Sequence, residues 1–112
     1  MAVRCDAYNQ VAVLTVEGDL TGDNALALRK NAEEQIHQKQ IADFVIDFER
    51  CGFADSEGLE TLLWLKRRVE ELFGQIKLVA LDENCRKILE ITRLEHRFEC
   101  QKDLAAALKL MR

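Results

Sequence analysis

The chain of 112 residues has no proline, five glycines and a single serine, Ser56. Average usage would supply roughly 5–6 prolines and about 8 glycines at this length. Glycine and proline are the main punctuation of a fold, so their scarcity excludes Pro-rich linkers, collagen-like repeats and low-complexity disorder. Paired metal ligands are missing too. Cys5, Cys51, Cys85 and Cys100 form no C-x-x-C pair, and His37 and His96 stand far apart, so neither a zinc site nor any other metal or cofactor is expected. Positive charge is in deficit, with 16 Lys+Arg against 20 Asp+Glu and a net charge of −4. That balance argues against nucleic acid or an anionic membrane as the main partner. The longest apolar stretches, near residues 62–65 and 78–81, fall far short of a membrane span, and the opening MAVRCDAYNQ has no apolar signal region. The reading is a soluble, cytoplasmic protein with reduced, mostly buried cysteines.

What is present suits one domain. Hydrophobic residues make up 48% and charged residues 32%, enough for a single core over residues 1–112. Residues 3–8 and 11–16 read as two strands paired antiparallel across an Asn9-Gln10 turn. Thr21-Gly22-Asp23-Asn24 opens a helix to about residue 38, with Leu28, Ala32 and Ile36 along one stripe. The apolar run 44–48, FVIDF, reads as a strand covered on both sides. A long helix follows from Asp55-Ser56 to about Phe73, with Gly74 as its C′ residue. Residues 76–81 form a fourth strand, Asp82 caps a helix through Ile91, residues 98–100 form a brief strand, and 103–111 a last helix. The order β-β-α-β-α-β-α-β-α predicts a small α/β domain, with helices packed on a mainly parallel mixed sheet.

Most chemistry is excluded by absence. There is no P-loop, no G-x-G-x-x-G, and no G-x-S-x-G elbow around Ser56. A serine nucleophile would need His37 or His96 within hydrogen-bond reach. The one distinctive constellation is residues 53–59, FADSEGL, in the loop that leaves a buried strand and enters a helix. Ligand and partner sites gather at such positions in open α/β sheets. Either Asp55 or Ser56 serves as N-cap, and Gly58 lets the first turn pack closely, although glycine inside a helix costs about 1 kcal/mol relative to alanine. A serine at a helix N-terminus is also a good phosphoacceptor, because the first amides and the helix dipole favour the added charge. Here Asp55, Glu57 and Glu60 oppose it, so phosphorylation should alter partner binding more than stability.

On the helical wheel Leu59, Leu62, Leu65, Val69, Leu72 and Phe73 share one face, with Leu63 at its margin. Trp64 points away, among Glu57, Glu60, Arg68 and Glu71. Two readings stay open for it: an aromatic covered by a neighbouring segment, or an interface anchor two turns from Ser56.

Four blocks in order resemble the STAS domain family, and within it the bacterial anti-sigma factor antagonists. Residues 11–20, VAVLTVEGDL, look like the opening strand of that family, and residues 44–59, FVIDFERCGFADSEGL, are similar to its strand and Asp-Ser-x-Gly-Leu phosphorylation motif. Residues 76–81 and 85–98, CRKILEITRLEHRF, resemble the fourth strand and the helix that usually ends in Thr-Gly-Leu. The resemblance implies a binding module without catalysis. Its partner would be an anti-sigma factor that is also a serine kinase and itself holds the ATP. Ser56 would be the phosphoacceptor, with Asp55 beside it and Gly58 giving the kinase backbone access. An alternative role is an accessory subunit of a membrane transporter complex for lipids or anions. The chain departs from the family pattern twice. Glu57 replaces a small residue, and Arg93 replaces the glycine of Thr-Gly-Leu, which should change that helix end.

Overall fold

The computed structural model describes residues 2–111. Strand β1 (Ala2–Tyr8) turns at Asn9 and Gln10 into β2 (Val11–Glu17), and both turn residues have positive φ, 48° and 71°. That is the two-residue hairpin turn whose twist matches antiparallel strands. Helix α1 (Gly22–Lys39), β3 (Asp43–Asp47), α2 (Ser56–Glu71), β4 (Ile76–Val79), α3 (Glu83–Ile91), β5 (Glu99–Gln101) and α4 (Leu104–Leu110) follow, with a short 3-10 turn at Glu95–Arg97 before β5. The sheet order is β1-β2-β3-β4-β5, antiparallel only between β1 and β2. The α/β architecture expected from the sequence is present, with each element within a few residues of its expected place.

Alternation along the strands divides the core. Leu14, Val16, Phe44, Ile46 and Leu78 face α1, α2 and α3, which contribute Leu28, Ala32, Leu62, Leu65, Val69 and Leu89. Val11, Val13, Val45 and Val79 face the other way, against Ala107 and Met111 at α4. Lys77 shares that second face; its ammonium is buried and held by the Glu99 carboxylate of the neighbouring strand. Burying Leu59, Leu62, Leu65 and Val69 of α2 contributes about 6–12 kcal/mol in gross transfer free energy.

Three local expectations are corrected. Leu72 and Phe73 lie off the apolar face: α2 ends at Glu71, and Phe73 is 98% exposed with φ 59°. Phe73, not Gly74, is therefore the left-handed residue that ends the helix. Its N–H reaches Glu70 O at 3.1 Å, and that of Gly74 reaches Val69 O at 2.9 Å. Position 74 needs glycine for another reason, since a Cβ there would sit 1.9 Å from Ala42 O. Arg93 also keeps the left-handed turn a glycine would make, with φ 62° and the same paired bonds from Arg93 N to Glu90 O and Leu94 N to Leu89 O. The helix end is thus strained rather than changed.

Candidate functional site

The C-terminal ends of β2, β3 and β4 lead into loops that meet at one rim of the sheet. The loop after β2 runs alongside the loop after β3: Gly18 N–H reaches Arg50 O (3.2 Å), Leu20 N–H reaches Phe53 O (2.8 Å), and Asp55 N–H reaches Leu20 O (3.3 Å). Asn24, buried in the first turn of α1, fixes the first of these loops by donating to Glu17 O at 3.2 Å and Asp19 O at 2.9 Å. Its Oδ1 is buried without a hydrogen-bond partner among the described residues.

This frame holds the start of α2. Asp55 is the N-cap: its Oδ1 accepts the Gly58 N–H at 2.9 Å. Ser56 is the first helical residue and is exposed, with no side-chain hydrogen bond to other described residues and so none to His37 or His96. Glu57 is exposed beside it, and its carbonyl accepts the Thr61 hydroxyl at 3.0 Å. Gly58 is buried and faces Leu20, so its backbone is packed inward rather than presented to solvent.

The sequence-predicted residues are therefore brought together. Trp64 is half-buried, and of the two readings open for it the cover by a neighbouring segment is present. It lies in a groove of about 650 Å³ between α1 and α2, whose walls include Leu26, Arg29, Glu57, Glu60 and Arg67. The Arg29 guanidinium stands 4.4 Å from the centre of its ring. A wheel drawn for α2 alone cannot show this cover, because Arg29 comes from another helix. Leu26, 67% exposed on α1, and Phe53, 46% exposed before the cap, add apolar surface near Ser56. Leu26 was missed in the sequence; its only signal is an apolar side chain off the Leu28–Ala32–Ile36 stripe.

The rim is acidic. An added Cβ at Gly52 would lie 3.9 Å from Asp19 Oδ1 and 3.8 Å from Asp82 Oδ2, which places both carboxylates beside the loop that carries Ser56. A second cleft, about 790 Å³, opens next to it with Glu17, Asp19, Asp23 and Arg50 on its walls. Among the described residues no cluster of three or more His, Cys, Asp or Glu could hold a metal ion.

The family model described as "STAS domain" matches residues 2–107. The chain belongs to the STAS domain family. Several solved structures share its fold. A candidate anti-sigma factor antagonist from Thermotoga maritima superposes with a TM-score of 0.90 at 17% identity, covering 98% of this chain and 94% of that one. An anti-sigma factor antagonist from Mycobacterium paratuberculosis gives 0.85 at 23% identity, covering 99% and 93%. The Bacillus cell fate determinant SpoIIAA, in its phosphorylated form, gives 0.78 at 21% identity, covering 99% and 100%. At these identities the likeness is one of fold. In this STAS domain no helix among the described residues is long and apolar enough to cross a membrane.

Proposed function

We propose that this STAS domain is a protein-binding module of the anti-sigma factor antagonist type, switched by phosphorylation of Ser56. The observation that carries the reading is the setting of Ser56: an exposed residue at the start of α2, next to the Asp55 cap and to Glu57, which lines the α1–α2 groove. A phosphate there changes the charge of the binding face without entering the core. Asp55, Glu57 and Trp64 form the docking surface, and Gly58 contributes from beneath by letting the helix start lie close to the sheet. The partner is an anti-sigma factor with serine kinase activity, which supplies the ATP. The acidic rim calls for a basic face on that partner, so binding should weaken as salt rises. On this reading the protein acts in the cytoplasm as a binding module, and the catalytic step belongs to the partner.

The test is incubation with the cognate kinase and ATP, followed by mapping of the phosphate by mass spectrometry. Label confined to Ser56 and lost in Ser56→Ala is expected. Label on a threonine, or label persisting in that variant, overturns the switch. Co-purification with a transporter ATPase instead of a kinase would place the domain in a transport complex.

A further inference from the structure

Two of the four cysteines meet inside the protein. Cys51 lies in the loop from β3 to α2 and Cys85 in the first turn of α3, 34 positions apart, and they are only 2% and 3% exposed. The Cys85 thiol donates to the Cys51 carbonyl oxygen at 3.5 Å, which brings the two cysteines side by side. The Cys51 thiol also donates to Phe53 O at 3.3 Å. That same carbonyl receives the Leu20 N–H, and Leu20 is the residue against which Gly58 packs. A short chain of contacts therefore joins the sulfur pair to the turn that carries Ser56. Phosphoacceptor and groove use neither sulfur.

The two sulfurs are chemically unequal. The hydrogen bond from Cys85 holds the Cys51 thiol at about 7, below its ordinary 9.0, while the same bond and burial push Cys85 up. Of the two, Cys51 gives up its proton more readily. Cys5 and Cys100 provide a contrast. They lie on β1 and β5, the opposite edges of the sheet, and burial pushes both thiols up.

We propose that Cys51 and Cys85 are a redox-modified pair, which hydrogen peroxide converts to an intramolecular disulfide that ties the loop entering α2 to the start of α3. The Cys51 thiolate attacks one peroxide oxygen, the O–O bond breaks, and hydroxide leaves; Cys51 becomes a sulfenic acid. The hydroxide takes the Cys85 proton and becomes water. The Cys85 sulfur then attacks the Cys51 sulfur, the S–O bond breaks, and the departing hydroxide takes up the proton released when the thiolate first formed. Two thiols and one peroxide give one disulfide and two waters. Burial makes local opening of the loop the gate for oxidant entry. Bond formation turns the Cys51 sulfur away from Phe53 O and so alters the loop that positions Ser56. The disulfide itself does not depend on the phosphorylation reading; only its regulatory meaning rests on it.

The test uses the full chain, reduced and then treated with hydrogen peroxide, alkylated and digested without reductant. The expected product is a cross-linked peptide pair containing Cys51 and Cys85, reversed by dithiothreitol, with Cys5 and Cys100 alkylated. In Cys85→Ser, which keeps a hydrogen-bond donor but cannot close the disulfide, dimedone should trap a sulfenic acid at Cys51. Amide exchange over residues 52–58 should slow about tenfold on oxidation, while the β1–β2 turn is unchanged. Alkylation of both Cys51 and Cys85 after oxidation, or over-oxidation of one without a cross-link, overturns the pair. A disulfide with unchanged exchange over residues 52–58 overturns its coupling to the Ser56 turn. The native chain alone decides the first question if a variant fails to fold. None of these readouts uses a kinase, so a failure of Ser56 phosphorylation is separately visible.

Discussion

Gly58 packs so closely on Leu20 that a Cβ at position 58 would lie 2.1 Å from the Leu20 carbonyl oxygen and 2.9 Å from its Cγ. The same carbonyl accepts the Asp55 N–H, so the start of α2 is clamped to the loop after β2 through backbone atoms. In an open helix Gly→Ala would stabilise by about 1 kcal/mol. Here the added methyl meets backbone that cannot rotate away, and the sign reverses. Gly58→Ala should cost about 1–3 kcal/mol, read as a lower urea midpoint at unchanged slope. A midpoint equal to or above that of the parent would show that the two loops separate freely.

The sequence carried most of this frame because its signals were local. The Asn9-Gln10 turn, the Asp82 cap and the apolar stripe of α1 each depend on neighbours within a few residues, and all are found. Ser56 and Asp55 were legible for the same reason. What escaped depends on contacts distant in sequence. The closeness of Gly74 to Ala42 is invisible from either segment, so glycine at 74 suggested a helix terminator when the terminator is Phe73. For Trp64 the choice between cover by a neighbouring segment and an outer face stayed open, because the wheel of α2 contains no information about Arg29. The meeting of Cys51 and Cys85 likewise exists only once α3 lies against the loop.

Phe73 and Arg93 hold left-handed conformations that favour glycine, and both side chains are exposed. Neither contributes core burial that would offset the strain. Phe73→Gly and Arg93→Gly should each stabilise the protein by about 1 kcal/mol, because the strain of a left-handed L-residue outweighs the extra chain entropy of glycine. The two sites terminate different helices, so their effects should add within about 0.5 kcal/mol in the double variant. Chemical denaturation of the four proteins measures this. A lower midpoint in either single variant would mean that the exposed side chain makes a stabilising contact after all.

Asn24 ties the carbonyl of Glu17 at the end of β2 to that of Asp19 in the following loop, and no other side chain hydrogen-bonds to them among the described residues. Asn24→Ala leaves both part-buried acceptors without that donor and should cost about 1–3 kcal/mol. Asn24→Asp should cost more, because it aims an anionic oxygen at the same two carbonyls. Amide exchange at residues 18–21 should rise in both variants. Equal stability of the Asp variant and the parent would show that a water or a rearranged loop replaces the Asn24 bonds.

Trp64 supports both the fold and the proposed docking surface, so its removal confounds the two. Trp64→Phe keeps most of the packing under Arg29 and should cost about 1 kcal/mol or less in stability. Partner affinity in the same variant should fall by more than 1 kcal/mol, about fivefold or greater, if the indole is an anchor. Titration calorimetry on the folded variant separates these terms. An affinity within about 0.5 kcal/mol of the parent removes Trp64 from the interface.

Phosphate at Ser56 should act on binding rather than folding. Asp55 already occupies the Gly58 N–H, one of the first-turn amides a phosphate would use, and the Asp55 and Glu57 side chains flank the acceptor. Attraction to the helix dipole, about 0.3–1 kcal/mol, is therefore opposed by like charges of similar effect. The stability of the phosphorylated protein should lie within about 1 kcal/mol of the unmodified form, whereas partner affinity should fall about tenfold or more. Paired thermal melts and binding titrations on the same phosphorylated sample measure both. A large stability change with unchanged affinity would make Ser56 a structural residue of the helix start and not a switch.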